Sequence, residues 1–518
     1  MWAIKGRIVP MASDASVAAD EKAAFAGKVW IGDDGRVAAV TRARRKDPPG
    51  SENALVVDVG TSLVLPGFVD LHNHLAYNTL PLWSEPGRPA PYAHHNSWPG
   101  AKSYAGEVTW PAYALITAAP AELLAYVETK AIVGGTTTIQ GSPPKNRPRD
   151  GWLVRNLEDE TFGTGNANLV YASVLTAKPA QLAARANSMR AGSLFVYHCA
   201  EGKPGTIVAR EFEAAQRAGC LQNRFVAVHA TAVPKEGFAA WGGQGAAPGA
   251  IAWSPFSNLW LYGETTDVPA ALANGIAVCL GSDWAPSGTK HVLGEAKVAR
   301  LASKAFGWNL ADADIVRMMT SVPGDVLARA WPCQVGRLQP RAVADVVVIG
   351  AKAGAEPFGT VVDATERDVE LVVVDGRPRY GTKALMKAAG AKPTTTVRVA
   401  GEQRALALTQ PDDPAAVLKW GDVVDRLNEV RKHPKREIEN AQATLAAWAG
   451  RLDADDAPLR LALDMPTGAS PVGGLPKDLD DVTVPPLETL AHDRAWLDAV
   501  SGGGFHGGLL DDLARWYP

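Results

Sequence analysis

Apolar and polar positions follow two periods along this chain. In its middle section, short apolar runs with the length of a buried strand alternate with stretches of helical spacing such as Ala121–Ala131, Thr206–Ala218 and Ala296–Ala305. This order predicts βα units and a parallel sheet. The strand-like runs are Val64–Leu71, Thr136–Gln140, Trp152–Arg155, Leu169–Val174, Leu194–Tyr197, Phe225–His229, Ile251–Trp253 and Ile276–Leu280. Eight parallel strands close a (β/α)8 barrel, so we predict an α/β fold with a TIM barrel over residues 64–333.

Shorter strand-like patterns flank this central region. Residues 1–63 contain runs such as Lys28–Ile31 between Gly and Asp turns, and the pattern returns in residues 334–394, for example at Val369–Val374. Two β-rich flanks most simply pair into one composite β-sandwich domain, built from both sides of the barrel. Residues 395–518 form a C-terminal extension with helical and irregular patterns, to which we assign packing or oligomerisation. We therefore expect a homo-oligomer.

Composition and charge narrow the class of protein. The chain has 518 residues, of which 47% are hydrophobic and 21% charged, as in an ordinary globular protein. A net charge of -3 provides no field that attracts nucleic acid or an anionic membrane. No apolar run is long enough to cross a bilayer, and Met1–Val9 has the pattern of a strand rather than of a secretion signal. The four scattered cysteines form no paired framework, so we expect a cytoplasmic protein.

Polar side chains gather where the predicted strands end. His72 and His74 close the first strand, and residues i and i+2 of an extended strand point to the same side, so both imidazoles can bind one metal ion. A His-x-His pair alone leaves a metal site and a polar loop as equal alternatives. The rim at the C-terminal strand ends is where a βα barrel collects its catalytic groups. Further candidates at such ends are Tyr197–Glu201, His229, Ser254–Asn258 and Cys279–Asp283.

Together these motifs resemble those of the amidohydrolase superfamily. The likeness is closest to its single-metal branch of cytosine deaminases, guanine deaminases and triazine hydrolases, and it covers residues 1 to about 390. It rests on Pro-Gly-Phe-Val-Asp-Leu-His-Asn-His at 66–74, His198-x-x-Glu201, His229, Ser-Pro-Phe-Ser-Asn at 254–258 and Gly-Ser-Asp at 281–283. The resemblance implies a distorted (β/α)8 barrel joined to a composite β-sandwich, which agrees with the pattern above.

The resemblance also implies a role for each polar position. The implied metal ligands are His72, His74, His198 and Asp283. The implied catalytic residues are Glu201 as the proton shuttle, His229 as the group that positions the attacking hydroxide or polarises the substrate, and Asp283. Relatives with two metal ions bridge them through a carboxylated lysine on the fourth strand. Residues 168–174 contain no lysine, which favours a single ion.

The physical chemistry of these residue types agrees with the implied roles. Three neutral imidazoles and one carboxylate suit Zn²⁺, with Fe²⁺ as the alternative. An ion in an open site lowers the pKa of water to about 7. A nearby carboxylate can take the released proton and deliver it to a leaving nitrogen. We therefore expect one divalent metal ion, zinc in the first instance.

A long aromatic segment follows the second predicted ligand. The stretch from Ala76 to about Trp110 exceeds an ordinary βα connection, and long loops of this kind are usually lids or binding loops. We expect it to cover the barrel mouth and to set substrate choice, and the alternative is that its aromatics only pack. The expected substrate contacts are Trp83, His94, Trp98, Asn258 and Trp284.

The sequence thus predicts a metal-dependent hydrolase of the carbon–nitrogen bonds of a small, cyclic substrate. Deamination of an amino-heterocycle is the favoured reaction. Opening of a cyclic amide is the alternative, because imidazolonepropionase-like enzymes share much of the same ligand set. A second alternative is a non-catalytic scaffold with the same fold, but every polar position of the site is present here.

Overall fold

The structure is a computed structural model, and it describes residues 1–13, 17, 24–141, 151–157, 170–243, 247–410, 415–449, 459, 461, 463 and 476–517. Four strands precede the barrel: β1 (Trp2–Ile8), β2 (Phe25–Ile31), β3 (Val37–Arg42) and β4 (Leu55–Pro66). β1 is antiparallel to β2 and parallel to β4. Ile4 and Ile8 of β1 are fully buried, as alternation along a half-buried strand requires.

Eight strands then follow in the order that the sequence predicts. They are β5 (Phe68–Asp70), β6 (Thr136–Ile139), β7 (Arg155–Asn156), β8 (Val170–Ser173), β9 (Leu194–Cys199), β10 (Phe225–His229), β11 (Ala250–Trp253) and β12 (Ala277–Leu280). All pairings recorded among them are parallel, in the orders β5-β6-β7 and β12-β11-β10-β9-β8. A parallel bridge between Asn73 and Asp283 joins the end of β5 to the end of β12. The α/β fold with parallel strands is confirmed, and the strand order is consistent with the predicted βα barrel.

Two predicted strand bounds were wrong. The run Val64–Leu71 is two elements, because the chain leaves the flanking sheet at Gly67. The Gly67 N–H bonds to the Asp345 carbonyl at 2.9 Å, and a Cβ at this position would lie 2.3 Å from Thr137 Oγ1. In the run Trp152–Arg155, only Arg155 is in a strand, because the N–H groups of residues 152–154 donate to the Glu128 carboxylate instead. Leu169 of the fourth run lies outside the described residues.

Five strands after the barrel complete the flanking sheet. They are β13 (Val346–Ile349), β14 (Val369–Val374), β15 (Arg377–Thr382), β16 (Thr395–Val399) and β17 (Glu402–Leu406). Both flanks meet at β4, which pairs with β1 on one side and with β13 on the other. The sheet has nine strands in the order β16-β17-β15-β14-β13-β4-β1-β2-β3, and strands of both flanks contribute to one apolar cluster. Strands of both flanks therefore share one sheet, and its last two strands lie beyond residue 394, inside the segment that the sequence assigned to the C-terminal extension.

Helices pack against the strands of the barrel and of the flanking sheet. The described helices are α1 (Trp110–Ala118), α2 (Pro120–Val133), α3 (Pro179–Arg190), α4 (Ala209–Arg217), α5 (Lys235–Gly242), α6 (Pro255–Tyr262), α7 (Val268–Ala273), α8 (Val292–Ala305), α9 (Asp312–Met318), α10 (Ser321–Leu327), α11 (Pro357–Asp363), α12 (Lys383–Ala388), α13 (Trp420–Lys432), α14 (Pro434–Ala449) and α15 (Arg494–Gly502). In the described part of the chain, no helix combines the length and hydrophobicity that a membrane span requires.

Residues 476–517 pack on the barrel. The Tyr126 hydroxyl on α2 donates to the Glu488 carbonyl at 2.8 Å. The ring of His506 stacks on Trp260 of α6 at a centroid distance of 6.2 Å, and the Phe505 N–H donates to the Trp260 carbonyl at 3.0 Å. This part of the extension thus belongs to the same apolar core as the barrel helices.

Candidate active site

Four potential metal ligands converge at the C-terminal end of the barrel. His72 and His74 follow β5, His198 lies on β9 and Asp283 follows β12. Asp283 Oδ1 lies 3.2 Å from His72 Nε2 and 3.4 Å from His74 Nε2. The ring centroid of His198 is 4.7 Å from that of His72 and 5.2 Å from that of His74. Ligand atoms of His72, His74 and His198 lie within 4.8 Å of one another, so the set can surround one ion.

The backbone fixes these ligands in place. The Asp283 N–H donates to the His72 carbonyl at 3.0 Å, and the His74 N–H donates to the Asp283 carbonyl at 3.2 Å. Asp283, His229 and Ala200 all have positive φ angles, of 57°, 65° and 56°. Non-glycine residues rarely adopt this conformation, and such strain tends to collect at functional sites.

A buried carboxyl group lies beneath the ligands. Asp70 accepts hydrogen bonds from the backbone N–H groups of His72 (3.3 Å) and Ser282 (3.1 Å), from Asn73 Nδ2 (3.3 Å) and from the Ser282 hydroxyl. Asn73 Nδ2 also contacts the Ser282 hydroxyl at 2.8 Å. Asp70 thereby ties the turn after β5 to the turn after β12, and these two turns carry three of the four ligands.

The charge states of the site suit a divalent ion. Burial lowers the pKa of His198 and of His229 well below the ordinary value for histidine, and the neighbouring histidines add to this effect. His198 and His229 are therefore held in the neutral form, and a neutral imidazole such as that of His198 is the form that binds metals. Burial opposes ionisation of Asp283, but His72, His74 and a hydrogen bond from Ser257 lower its pKa. Neutral nitrogen donors and one carboxylate fit a zinc-type ion.

Glu201 and His229 lie next to the ligand cluster. Burial raises the pKa of Glu201 to about 7, against the lowering effects of His95 and of the Tyr262 hydroxyl, which donates to Glu201 Oε1 at 2.6 Å. Glu201 Oε2 is 3.7 Å from His229 Nε2. Asn258 Nδ2 donates to His229 Nδ1 at 3.0 Å, so the neutral ring carries its proton on Nε2, on the side of Glu201.

A cavity of about 140 Å³ opens in front of these groups. Its polar lining consists of His74, His95, Asn96, His198, Glu201, His229 and Asp283. Its flat or apolar lining consists of Tyr77, Trp98, Pro99, Tyr104, Val174, Leu175, Leu261 and Trp284. Trp98 and Trp284 lie with ring centroids 5.4 Å apart. Among the described residues that line this cavity there is no lysine or arginine.

Of the five expected substrate contacts, only two line the cavity. Trp98 and Trp284 line the cavity, and Asn258 lies behind it, against His229. Trp83 does not line the cavity: it is 4% exposed, and its Nε1 donates to Glu107 Oε2 at 2.9 Å. His94 does not line the cavity either. Its backbone forms a bridge with Gly202, and the next residue, His95, lines the cavity instead.

Three site residues were not among the sequence candidates. The sequence did contain a signal for Asp70, since it ends β5 only two positions before His72. Tyr262 follows the Ser-Pro-Phe-Ser-Asn motif on α6, but nothing in the sequence shows that its hydroxyl reaches Glu201. Glu211 of α4 bonds to His95 Nε2 at 2.9 Å, and the two residues are 116 positions apart, so no local pattern indicates this contact.

The architecture has solved counterparts, although no protein-family model and no curated protein matches the sequence. Adenosine deaminase from Xanthomonas campestris with bound zinc is 16% identical, with a TM-score of 0.55 over 75% of this chain and 97% of that one. A variant of atrazine chlorohydrolase from Arthrobacter aurescens TC1, complexed with zinc and atraton, is 18% identical, with a TM-score of 0.58 over 73% and 95%. Guanine deaminase from E. coli is 16% identical, with a TM-score of 0.53 over 73% and 98%. The chain has the fold of these enzymes, as its motifs implied.

Proposed function

We propose that this chain is a metal-dependent hydrolase that removes the amino group from a small, planar nitrogen heterocycle. The observation that carries the proposal is the convergence of His72, His74, His198 and Asp283 beside Glu201 in one aromatic-walled cavity. Solved enzymes of the same fold include two deaminases and a chlorohydrolase, which is consistent with this reaction.

The proposed metal site takes one divalent ion, with zinc favoured over iron(II). Such an ion would supply Lewis-acid chemistry, which polarises a bound substrate and makes water a stronger nucleophile at neutral pH. The ligands of this ion would be the imidazoles of His72, His74 and His198 and the carboxylate of Asp283.

Glu201 moves the protons in the proposed reaction. Its carboxyl group accepts a proton from the attacking water and passes it to the leaving nitrogen, and a pKa of about 7 allows both directions at neutral pH. The Tyr262 hydroxyl holds Glu201 Oε1 and leaves Oε2 turned toward His229. His229, oriented by Asn258, presents its Nε2 proton to the oxygen that adds to the ring.

The cavity walls favour a flat and uncharged substrate. Trp98, Trp284 and Tyr104 provide aromatic faces against which a planar ring can stack. A cavity of about 150 Å³ in another protein holds one benzene ring, so the volume here suits a single small ring. Without a lysine or arginine among the described lining residues, a strongly anionic substrate would lack a partner.

The test combines metal analysis with a substrate screen. The purified chain should contain close to one equivalent of a divalent transition metal, and His72→Ala or Asp283→Ala should lose most of it because each removes a ligand. The zinc-loaded protein is then offered amino-heterocycles, cyclic imides and N-acyl compounds, with ammonia release scored separately from ring opening. Two tightly held metal ions would contradict the single-metal site. Ring opening without ammonia release would replace deamination by cyclic amide hydrolysis.

We also predict the compartment and the assembly state of the protein. The described cysteines Cys199, Cys220 and Cys279 are buried thiols without a disulfide, which is compatible with a reducing cytoplasm. A homo-oligomer remains our expectation for the assembly state, and light scattering of the purified chain would test it.

A further inference from the structure

The side chain of Asn78 connects the two turns that carry three of the four potential metal ligands. Asn78 is 3% exposed, and its Nδ2 donates to Asn73 Oδ1 at 3.0 Å, in the turn after β5. Its Oδ1 accepts from the Ala285 N–H at 2.9 Å, in the turn after β12. Because a backbone N–H only donates, the oxygen must face Ala285, which fixes the orientation of the amide. One amide group thus joins the turn with the two ligand histidines to the turn with Asp283.

The amide of Asn78 completes a network that also contains Asp70. Asn73 Nδ2 donates to the Ser282 hydroxyl at 2.8 Å and to Asp70 Oδ2 at 3.3 Å, so the oxygen of Asn73 remains for Asn78. Trp284, which lines the cavity, directly precedes the residue that donates to the Asn78 oxygen. A shift of the Asn78 amide would therefore move metal ligands and a cavity wall together.

Two groups from other parts of the chain hold the backbone at Asn78 and Thr79. Lys130 of α2 is fully buried, and its Nζ donates to the Asn78 carbonyl at 2.7 Å. The Glu488 N–H, in the C-terminal extension, donates to the Thr79 carbonyl at 2.8 Å. The position of the Asn78 amide therefore depends on α2 and on the extension.

Glu488 also makes contacts with two further parts of the barrel. Its carbonyl accepts from the Tyr126 hydroxyl of α2 at 2.8 Å, and its carboxylate forms an ion pair with Lys290, which follows β12. Lys290 Nζ also donates to the Thr489 carbonyl at 3.0 Å. Burial and the charge of Lys290 lower the pKa of Lys130, whereas the charge of Glu488 raises it, so the three groups lie close together. The side chains of the Lys290–Glu488 pair are 1% and 11% exposed, and loss of one partner would leave a buried charge uncompensated.

We propose that Asn78 is a positioning residue for the metal ligands and that the C-terminal extension holds it in place through Glu488. The extension then supports the active site in addition to packing on the barrel. This inference rests on the metal site of the proposed function. Metal binding and docking of the segment around Glu488 would order the same two turns, so each should favour the other by linkage.

The experiment compares zinc affinity with stability in the full-length chain. Competition with a chelator measures zinc affinity, and chemical unfolding of the zinc-free protein measures stability. Asn78→Ala removes both amide contacts, and Glu488→Ala removes the carboxylate that pairs with Lys290. Thr79→Val is the control for the first variant, because the buried Thr79 hydroxyl has no hydrogen-bond partner among the described residues. Asp498→Ala is the control for the second, because Asp498 is an exposed acidic residue of the extension.

Asn78→Ala should weaken zinc binding about 10–100-fold, the usual effect of losing a group that orients metal ligands. Glu488→Ala should weaken it by a smaller factor, because the Asn78 amide keeps its own bonds. Both controls should bind zinc as tightly as the wild type. Wild-type zinc affinity in Asn78→Ala would overturn the positioning role of Asn78, and wild-type affinity in Glu488→Ala would overturn the role of the extension, even if either variant loses stability.

Hydrogen exchange of the wild type tests the same coupling without a substitution. Zinc loading should slow the exchange of the amides of residues 487–492 more than that of β16 and β17, which lie at one end of the flanking sheet. These two strands report the general gain in stability that any bound ligand gives. Equal slowing in both segments would overturn the inference, and this result does not depend on whether a variant folds.

The outcome is separable from the fate of the proposed function. A chain whose zinc affinity depends on Asn78 and Glu488, but which releases no ammonia from any heterocycle, supports the inference and contradicts deamination. A chain that deaminates a heterocycle, and whose Asn78→Ala and Glu488→Ala variants keep the wild-type zinc affinity, supports the proposed function and overturns the inference alone. A wild type that binds no zinc would overturn both.

Discussion

At the scale of single residues, burial and hydrogen bonds decide what each polar group does. Asp283 and Glu201 are both buried carboxyl groups near the histidines, yet their pKa values move in opposite directions. His72, His74 and Ser257 lower that of Asp283, whereas burial raises that of Glu201 to about 7. The surroundings of Asp283 thus favour its charged form, whereas those of Glu201 favour a group that gains and loses a proton near neutral pH.

Glu201→Gln should keep the metal but lose turnover. Glutamine has nearly the same shape and can still accept from Tyr262, but it cannot carry a proton between water and the leaving nitrogen. The loss should be about 10²–10⁴-fold in kcat, measured as ammonia release with metal content as the control. Near-normal turnover by this variant would exclude Glu201 as the proton shuttle.

Asp70→Asn should weaken metal binding without removing a ligand. The substitution replaces one acceptor oxygen of the carboxylate by an NH₂ donor. Only one oxygen then remains to accept from the donors of His72, Asn73 and Ser282. Changes to the partners that orient metal ligands typically cost about 10–100-fold in metal affinity. Competition with a chelator measures the effect, and Asn258→Ala serves as a comparison because it contacts His229 but no ligand. Unchanged affinity would mean that Asp70 does not position the site.

At the scale of elements, the aromatic segment between β5 and α1 has two parts with different tasks. Trp98 faces the cavity and donates from Nε1 to the Tyr262 hydroxyl at 3.1 Å, next to Glu201. Trp83 packs away from the cavity against Tyr92 and Tyr104, and its carbonyl accepts from Trp260 Nε1 at 2.8 Å. Trp83 therefore anchors the aromatic segment to α6, whereas Trp98 of the same segment faces the cavity.

Trp98→Ala and Trp83→Ala should separate these tasks. Trp98→Ala should raise KM for a planar substrate several-fold with little loss of stability, because the side chain is only partly buried. Trp83→Ala should instead destabilise the fold by about 3–5 kcal/mol, since it empties a buried aromatic site. Kinetics and chemical unfolding distinguish the outcomes. If Trp83→Ala instead changed KM and left stability unchanged, the assignment of substrate contact to Trp98 and of packing to Trp83 would be wrong.

At the scale of the whole molecule, a buried junction joins the C-terminal extension to the barrel and to the flanking region. Glu366 accepts hydrogen bonds from His291 Nε2 at 3.0 Å and from the backbone N–H of His492 at 3.1 Å, as well as from the His492 ring at 2.5 Å. His492 Nε2 in turn accepts from the Lys290 N–H at 3.3 Å. Both rings point their protons at one carboxylate oxygen, so the group is satisfied without a metal ion.

This junction should make the fold sensitive to acid. Burial lowers the pKa of His492 to about 4, against the raising effect of Glu366. Between pH 6.5 and 4, the unfolded state then binds the proton that the folded state does not, so stability falls as pH falls. The difference in the pKa of His492 between the unfolded and folded states corresponds to about 3 kcal/mol in the free energy of unfolding. Chemical unfolding at several pH values should show the loss, and His492→Gln should remove that part of it. His433→Gln, at an exposed position, should keep it.

The sequence by itself determined the barrel strands and the polar groups at their ends. Apolar runs of strand length, each followed by a helical stretch, are a local pattern that leaves few alternatives to βα units. His72, His74, His198 and Asp283 stand at strand ends, and the ends of parallel strands meet at one rim, so their convergence follows from the pattern. The break at Gly67 was missed because it depends on Asp345 and Thr137, which are distant in sequence.

Only the tertiary structure decided which side chains face the cavity. The aromatic segment has no regular period, so nothing in the sequence distinguishes His94 from His95 or Trp83 from Trp98. The choice is made by docking on the Glu201 turn, where the His95 N–H meets the Glu201 carbonyl, and by Glu211 of α4. Contacts between segments more than a hundred residues apart depend on how the loops pack, and a local pattern of hydrophobicity does not record that packing.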